Sequence, residues 1–316
     1  MKWLAVVFAV FCVLASFGIG NMTQSNSIAE ALYSSFGVEK WLSGVVACII
    51  VGLVIIGGIT RIAKVTEKFV PVMGIFYVIG AVAVLCINAD AVPAAFRLIF
   101  TEAFNMQAVG GGIFGYVMMN AIRFGFSRGV FSNEAGLGSA PIAHAAATTD
   151  SPVKQGLWGI FEVFFDTIVM CTLTTLVILT SGLWTTGLDG AALTAASFGS
   201  TMGSFAQYFI SISTVFFAIS TIISWSYYGE RCIEYLFKRP SCILLYRMCF
   251  IFSIVVGATT NLTLVWSIAD TLNGFMAIPN LIALIGLSGV VIKMTQEHFD
   301  TEHDKYQKAV KKYRKK

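Results

Sequence analysis

Residues 128–144 read Arg-Gly-Val-Phe-Ser-Asn-Glu-Ala-Gly-Leu-Gly-Ser-Ala-Pro-Ile-Ala-His, and this stretch decides the fold. After Phe131 it contains Ser-Asn-Glu, two glycines and a proline, although long apolar segments lie on both sides. In a bilayer every backbone N–H and C=O group needs a partner, so these residues are costly inside a continuous membrane helix. The pattern predicts a helix that is unwound here and lines a cavity. A polar loop between two spans is the alternative.

The composition places this stretch in a membrane protein. Hydrophobic residues make up 57% of the 316 residues and charged residues only 12%, whereas soluble proteins carry roughly 25% charged residues. A soluble enzyme is therefore excluded. The net charge of +4 does not indicate nucleic-acid binding, because the basic residues lie at loop ends and in the C-terminal tail. We expect a transmembrane domain over residues 1–296 and a basic cytoplasmic tail over 297–316.

Segments of about 20 apolar residues can cross the hydrocarbon as helices. The sequence predicts an all-α bundle of about eight such spans: 3–19 (extending through a polar stretch to about 35), 41–60, 71–89, the Gly-broken stretch near 127–147, 156–181, 205–228, 242–259 and 272–294. Residues 90–126, which include Gly110, Gly111 and Gly112, are too polar for a span. We predict an extramembrane loop there, with one or two short surface helices.

The distribution of basic residues predicts the orientation, because short loops rich in Lys and Arg stay in the cytoplasm. With Lys2 inside, eight spans place 17 of the 21 basic residues on the cytoplasmic side, including the whole tail. Lys40 and Arg97 fall outside, and Arg123 and Arg128 lie at the outer entrance to the broken helix. This predicts a multi-pass protein of the plasma (inner) membrane with a cytoplasmic C-terminus.

Two other features of the sequence have simple interpretations. The N-terminal apolar run also resembles a secretory signal peptide, but it continues without Pro or charge into a polar patch at helical spacing, which favours a retained helix. The seven cysteines form no CxxC pair and lie mostly in apolar spans, so neither a disulfide framework nor a zinc site is predicted.

An unwound membrane helix exposes free carbonyls and half-helix ends at one place, an arrangement that secondary transporters use to bind substrate and cation near the bilayer midplane. The string FSNEAGLGSAPIAHAAATTDSPVKQGLWGIFEVFFDT (131–167) resembles the most characteristic segment of the alanine or glycine:cation symporter family, the sodium:alanine symporters. Three further segments are similar to the same family in the same order: LASFGIGNMTQSNSIAEAL (14–32), STIISWSYYGERC (220–232) and VWSIADTLNGFMAIPNLIAL (265–284).

This resemblance covers almost the whole chain and implies a LeuT-type fold of two inverted five-helix repeats that carries alanine or glycine together with sodium. One departure is large. Family members begin with an extra helix and two core helices, the first broken by a Gly-Thr-Gly-Asn-like segment and the second with a Phe-Trp-Met-Trp-like signature, and neither motif is present here. The expectation is therefore a fragment that starts at the third core helix and lacks half of the substrate and sodium ligands.

Candidate substrate contacts are polar or flexible groups at membrane depth. Asn21, Gln24 and Ser25 project from adjacent turns, and the resemblance favours Gln24, with helix–helix hydrogen bonding as the alternative. At the broken helix we predict contacts through the backbone around Ser132, Asn133, Ala135 and Gly136, with Phe131 as an apolar lid.

Trp266, Asp270 and Asn273 share one face of the last helix before the Pro279 kink. An aromatic ring, an acid and an amide on one face suit the substrate cavity or an outer gate. A Trp that packs at the membrane interface is the alternative.

Candidate sodium ligands are Ser220, Thr221 and Ser224, which recur at spacings of three and four and so lie on one helix face. Their oxygens suit a hard cation, and the resemblance implies ligands on this helix. The alternative is hydrogen bonding of each hydroxyl to its own backbone at i−4.

Charged residues at membrane depth are expensive and usually functional. Glu134 is predicted either to neutralise a cation or to pair with Arg128 as a structural tie. Glu162 and Asp166, four residues apart, are predicted as tethers or gate residues, with a proton relay as the alternative. No nucleophile motif, metal cluster or phosphate loop supports catalysis, so the sequence predicts no enzyme and no cofactor besides sodium as coupling ion.

Three functions remain open from the sequence. The first is a sodium-coupled symporter of a small neutral amino acid that works by alternating access and is incomplete as a fragment. The second is a passive channel lined by the polar faces. The third is a truncated remnant that does not transport. The expected partners are alanine or glycine, sodium and the lipid bilayer, with no nucleic acid.

Overall fold

A computed structural model describes residues 2–104 and 111–314, and within these ranges the chain is helical with no β-strand. The principal helices are α1 (Lys2–Phe36), α2 (Lys40–Ile55), α3 (Gly58–Ile87), α4 (Val92–Phe104), α5 (Gly111–Asn133), α6 (Ala140–His144), α7 (Pro152–Ser181), α8 (Gly190–Met202), α9 (Phe205–Phe237), α10 (Pro240–Thr259) and α11 (Leu262–Arg314). Short 3₁₀ turns lie at Ala89–Ala91 and Leu183–Thr185.

The described part of the chain contains six helices that are long and apolar enough to cross a membrane. They are Lys2–Phe36, Arg61–Ile87, Pro152–Ser181, Phe205–Phe237, Pro240–Thr259 and Val265–Thr301. Lys40–Ile55 is a shorter apolar helix of the same bundle. The predicted class, an all-α polytopic membrane protein, is confirmed. The remaining predicted span, near 127–147, is the pair α5 and α6, which is interrupted between Asn133 and Ala140.

Local sequence explains where the helices begin and end. Gly37 adopts φ = 67° and donates its N–H to the carbonyls of Leu32 and Tyr33, which ends α1 as a left-handed cap. Pro152 and Pro240 occupy the first turns of α7 and α10, where the missing N–H has no intrahelical partner to lose.

Two spans contain π-helical segments, at Gly18–Met22 in α1 and at Phe164–Cys171 in α7. Such segments are rare and often mark functional sites. In α1 the segment allows a close approach, because a Cβ at Gly20 would overlap the ring of Trp225 on α9. Glycine is therefore required where these two helices touch.

Two apolar clusters hold the bundle together. The larger one joins α1, α2, α9, α10 and α11 and is centred on fully buried side chains such as Trp225, Phe250 and Ile254. The smaller one joins α3, the end of α7, α8 and the start of α9 around Tyr77, Phe198 and Phe209. Helix α9 contributes residues to both clusters and therefore connects them.

The structure corrects the prediction for residues 90–126. Helix α4 agrees with one short helix, but α5 begins at Gly111, so the helix that enters the Gly-broken stretch is 23 residues long rather than starting near 127. Gly110 lies outside the described residues.

At the C-terminus α11 continues without a break past the expected boundary at 296 and 297, so the basic tail prolongs the last helix.

Candidate functional site

The chain unwinds between α5 and α6, over residues 134–139, which we call the break. Glu134 adopts φ = 55°, a left-handed conformation that is uncommon for a residue with a side chain, and Gly136 and Gly138 follow with φ of 81° and 91°. A Cβ at Gly138 would lie 2.7 Å from the Phe8 ring and 2.8 Å from the Asn280 amide. The break predicted from the sequence is therefore present, and glycine is required by its dihedral angle at Gly136 and by both dihedral angle and space at Gly138.

A cavity of about 960 Å³ lies beside the break, between α1, α3, α5, α7, α8 and α9. Several of its polar lining residues are those that the sequence predicted as a site: Gln24, Ser132, Asn133, Glu134, Ser220, Thr221 and Ser224. Glu162 and Asp166 line it as well, and no lysine or arginine is among its described lining residues. The fold thus brings predicted substrate and sodium contacts from three separate stretches of sequence to one cavity.

Glu134 is held by neutral donors in the described structure. Trp225 Nε1 donates to Oε1 over 2.8 Å, and Ser139 Oγ donates to Oε2 over 2.6 Å. Both donors are buried, with Trp225 1% and Ser139 0% exposed. Each carboxylate oxygen therefore has a hydrogen-bond partner that carries no charge.

The two residues before Glu134 are tied to the opposite wall of the cavity. Ser132 Oγ donates to Asp166 Oδ2 over 2.6 Å, and Asn133 Nδ2 donates to Thr167 Oγ1 over 2.9 Å. Both acceptors lie in the π-helical segment of α7. The end of α5 is therefore fixed between α7 on one side and α9 on the other.

The predicted sodium ligands lie on the cavity face of α9. Ser220 Oγ and Thr221 Oγ1 both donate to the carbonyl of Phe217, over 2.8 and 3.0 Å. The i−4 backbone bond that the sequence offered as the alternative is thus present for Thr221, and Ser220 makes the corresponding bond at i−3. It uses the hydroxyl hydrogen and leaves oxygen lone pairs directed elsewhere, so it is compatible with coordination of a cation.

Arg128 makes an ion pair that the sequence did not identify. Its guanidinium donates to both carboxylate oxygens of Asp270, over 3.0 and 3.1 Å, and lies 4.3 Å from the centre of the Trp266 ring. The Trp266 ring in turn packs against Phe131 at 4.8 Å. The predicted tie between Arg128 and Glu134 is wrong, because these two side chains turn to different helices, α11 and α9.

Four predicted substrate contacts lie outside the lining of the cavity. Phe131 and Trp266 pack against each other in the group around Arg128. The Ala135 N–H donates to the side chain of Asn133, and the Gly136 carbonyl accepts from Asn280 Nδ2 over 2.9 Å. These contacts tie Ala135 to the end of α5 and Gly136 to α11.

The polar face of α1 divides between two roles. Gln24 lines the cavity and also donates to the carbonyl of Ile19. Asn21 is buried and donates to the carbonyl of Phe250 on α10 over 2.7 Å, while Ser25 bonds within its own helix. Helix–helix bonding therefore accounts for Asn21, and only Gln24 of this group faces the cavity.

Helix α6 is joined to α7 at the other end of the cavity. His144 Nε2 lies 3.3 Å from Glu162 Oε2, and the amide nitrogen of Gln155 lies 2.8 Å from His144 Nδ1. Glu162 and Asp166 therefore each contact one side of the broken helix, in the arrangement expected for tethers. No cluster of three or more His, Cys, Asp or Glu that could hold a metal ion is found among the described residues.

Comparison with known proteins identifies the family. The model of the sodium:alanine symporter family matches residues 1–313. The chain belongs to this family. The family is one of transporters and not of enzymes, so the predicted class is confirmed and the resemblance noted in the sequence was correct.

Individual symporters and transporters show the same likeness. The chain is 50% identical over 299 residues to the sodium/alanine symporter AgcS of Methanococcus maripaludis, covering 93% of this chain and 65% of AgcS. It is 44% identical to an uncharacterized transporter of Haemophilus influenzae, covering 95% and 66%, and 41% identical to the probable sodium/glutamine symporter GlnT of Bacillus subtilis, covering 94% and 62%. The chain thus spans about two thirds of the length of these relatives.

Sequence reasoning missed two residues at the centre of the site. Trp225 and Ser139 hold the carboxylate of Glu134, yet neither was assigned a role. Trp225 directly follows the hydroxyl-bearing face of α9 in sequence, and an indole inside a polar stretch of a membrane helix was the available signal. Its partner is 91 residues away, so only the fold could reveal the contact.

Proposed function

We propose that this protein carries out sodium-coupled symport of a small neutral amino acid, alanine or glycine, with the LeuT-type inverted-repeat architecture that its sequence predicts. The observation that carries the proposal is the break itself, where an interrupted membrane helix faces a hydroxyl-lined wall of α9 across one cavity. Interrupted helices of this kind supply polar groups to substrates and cations inside membranes. The sodium dependence in the names of AgcS and GlnT supports the same coupling ion.

The substrate would lie against Gln24, Ser132 and Asn133. Amide and hydroxyl groups can both donate and accept, so they suit an amino acid that carries an ammonium and a carboxylate at once. Glu162 and Asp166 in the same lining favour the entry of cations, since no described lining residue is basic. The backbone of Ala135 and Gly136 would support this site from within the break, through its bonds to Asn133 and Asn280.

Sodium would be bound by the oxygens of Ser220, Thr221 and Ser224. Hard cations prefer oxygen ligands, and hydroxyls whose hydrogens already point at the Phe217 carbonyl present their lone pairs. Binding of both solutes would stabilise an occluded state, and the protein would open alternately to the two sides.

The pair of Arg128 and Asp270, with Trp266 and Phe131 beside it, would act as an outer gate. It joins α5 to α11 six residues before Glu134, so opening it would release this part of α5 from α11, while the bonds of Ser132 and Asn133 to α7 would still hold the end of the helix. The basic residues at the ends of the spans favour an orientation with the C-terminus in the cytoplasm of a cell whose plasma membrane holds the protein.

Uptake of radiolabelled alanine and glycine into vesicles tests the proposal, with sodium outside or with choline in its place. The 316-residue chain and the chain preceded by any in-frame upstream coding sequence are compared. We expect saturable uptake that needs sodium, and a Thr221→Val, Ser224→Ala variant that needs about tenfold more sodium because two oxygen ligands are lost. Trp41→Phe, an exposed change on α2, is the matched control.

Other outcomes would assign other functions. Conductance that rises without saturation and persists in choline would identify a passive channel. Absence of uptake by both forms, with the protein folded in the membrane, would contradict the symporter proposal and favour a chain that does not transport.

A further inference from the structure

Trp225 is the point at which three elements of the site meet. Its ring packs directly against Gly20 in the π-helical segment of α1, where a Cβ would overlap it. Its indole N–H reaches across to Glu134 at the start of the break, and its ring makes an edge contact with Tyr228 at 5.5 Å. One buried side chain of α9 therefore touches both the polar helix that carries Gln24 and the interrupted helix.

The chemistry of the donors defines what Glu134 does in this arrangement. An indole N–H can only donate, so Glu134 Oε1 must accept. The Ser139 hydroxyl lies within hydrogen-bond distance of the other oxygen, and Ser139 is the last residue of the break. The side chain of Glu134 thus bridges the first and last residues of the break and links both to α9.

We propose that Trp225 is a positioning residue for transport, and that Glu134 serves it as a hydrogen-bond acceptor rather than as the counter-charge of the sodium ion. Through this contact α9 holds the backbone of the break in its left-handed turn beside the cavity. The proposal rests on the proposed function for its relevance to transport, but the positioning itself is a property of the fold.

Two roles of Glu134 can be separated by its amide analogue. Glutamine has the same length, and it can accept from Trp225 through its oxygen and donate to the Ser139 hydroxyl through its nitrogen. Glu134→Gln therefore keeps both hydrogen bonds and removes the charge. Glu134→Ala removes both, and Trp225→Phe removes the indole donor while keeping an aromatic ring against Gly20.

The experiment measures hydrogen–deuterium exchange of the backbone amides in residues 134–139 of the full chain in lipid nanodiscs. We expect exchange to be on the order of tenfold faster in Trp225→Phe and in Glu134→Ala, because the buried hydrogen bond that holds the break to α9 is lost. Glu134→Gln is expected to exchange at the wild-type rate, and so is Trp41→Phe, an exposed change on α2. Exchange in α10 should be the same in all variants, which separates a local change from unfolding.

Alanine uptake by the same variants gives the functional readout. The half-saturating alanine concentration should rise about tenfold in Trp225→Phe and Glu134→Ala, and Glu134→Gln should recover most of that loss relative to Glu134→Ala. Exchange or uptake of Glu134→Gln that matches Glu134→Ala would overturn the proposal and assign Glu134 to charge compensation. Unchanged exchange in Trp225→Phe would also overturn it. A wild type without sodium-driven uptake would contradict the proposed function, while the exchange rates would still decide the positioning role.

Discussion

Asp270 and Glu134, two of the acidic side chains around the end of α5, are held in opposite ways. Asp270 receives a charged guanidinium from Arg128 in a setting where both side chains are more than a third exposed. Glu134, six residues further along the chain than Arg128, receives an indole N–H and a hydroxyl from fully buried residues. The same chemical group thus takes part in an exposed ion pair and in a buried network of neutral donors.

The difference indicates which contact is permanent and which can open. More than a third of each partner lies outside the packed core, so this ion pair can break and re-form during a transport cycle without leaving a fully buried charge unpaired. A carboxylate bonded to buried donors loses those bonds only if buried groups are left without partners, which is expensive. This comparison supports the proposal that the Arg128 pair acts in gating and that the Trp225 contact belongs to the fixed framework of the site.

The largest expected loss of stability follows removal of the buried Trp225 side chain. Trp225→Ala leaves a cavity between α1 and α9 and should lower the free energy of unfolding by about 3–5 kcal/mol. Trp266→Ala, in the partly exposed group around Arg128, is the matched change and should cost less than half as much. Denaturation in mixed micelles by titration with sodium dodecyl sulfate measures both. Equal losses would remove the distinction between a fixed and an opening contact.

A smaller loss of stability is expected when a side chain is added at Gly20, next to Trp225. Gly20→Ala places a Cβ 2.2 Å from the Cβ of Trp225 and should lower stability by about 1–3 kcal/mol, because the packed helices must separate. Gly18→Ala in the same π-helical segment is the control, since its Cβ would lie 3.4 Å from Ala269 in near-normal contact. The same denaturation assay compares them. A control as damaging as Gly20→Ala would show that the segment itself, and not the contact with Trp225, is sensitive.

The smallest expected loss of stability follows disruption of the ion pair between Arg128 and Asp270. Asp270→Asn should lower stability by no more than about 1 kcal/mol, since ion pairs of this exposure contribute little. Its effect on transport should be larger than its effect on stability, with a changed rate of uptake at unchanged expression. A double-mutant cycle with Arg128→Gln measures the coupling. A coupling above about 3 kcal/mol would show that this pair, too, belongs to the fixed framework.

Much of this fold follows from local sequence. Apolar runs bounded by charge locate the spans, and Ser-Asn-Glu with two glycines locates the break, because both depend on the cost of polar backbone in a bilayer. The start of α5 was missed, since the glycines and polar residues around Gly111 and Asn120 give no continuous apolar run. Helical structure there is visible only in the folded chain.

The candidate site was predictable only as far as its residues act locally. The hydroxyls of Ser220 and Thr221 bond to a carbonyl three and four residues away, as Ser and Thr commonly do in membrane helices. The partner of Arg128 is 142 residues distant, so the sequence could offer a tie to Glu134 only as one of two alternatives. Charge and burial indicate that such a residue needs a partner, but the packing of helices selects which one.

Alanine uptake as a function of external sodium concentration tests the central claim most directly. The account predicts saturable uptake in sodium, loss of uptake in choline, and a Thr221→Val, Ser224→Ala variant whose sodium dependence is displaced about tenfold to higher concentration. Uptake that is equal in sodium and choline, or a variant whose sodium dependence coincides with the wild type, would contradict the claim that the break and α9 form a sodium-coupled amino acid site.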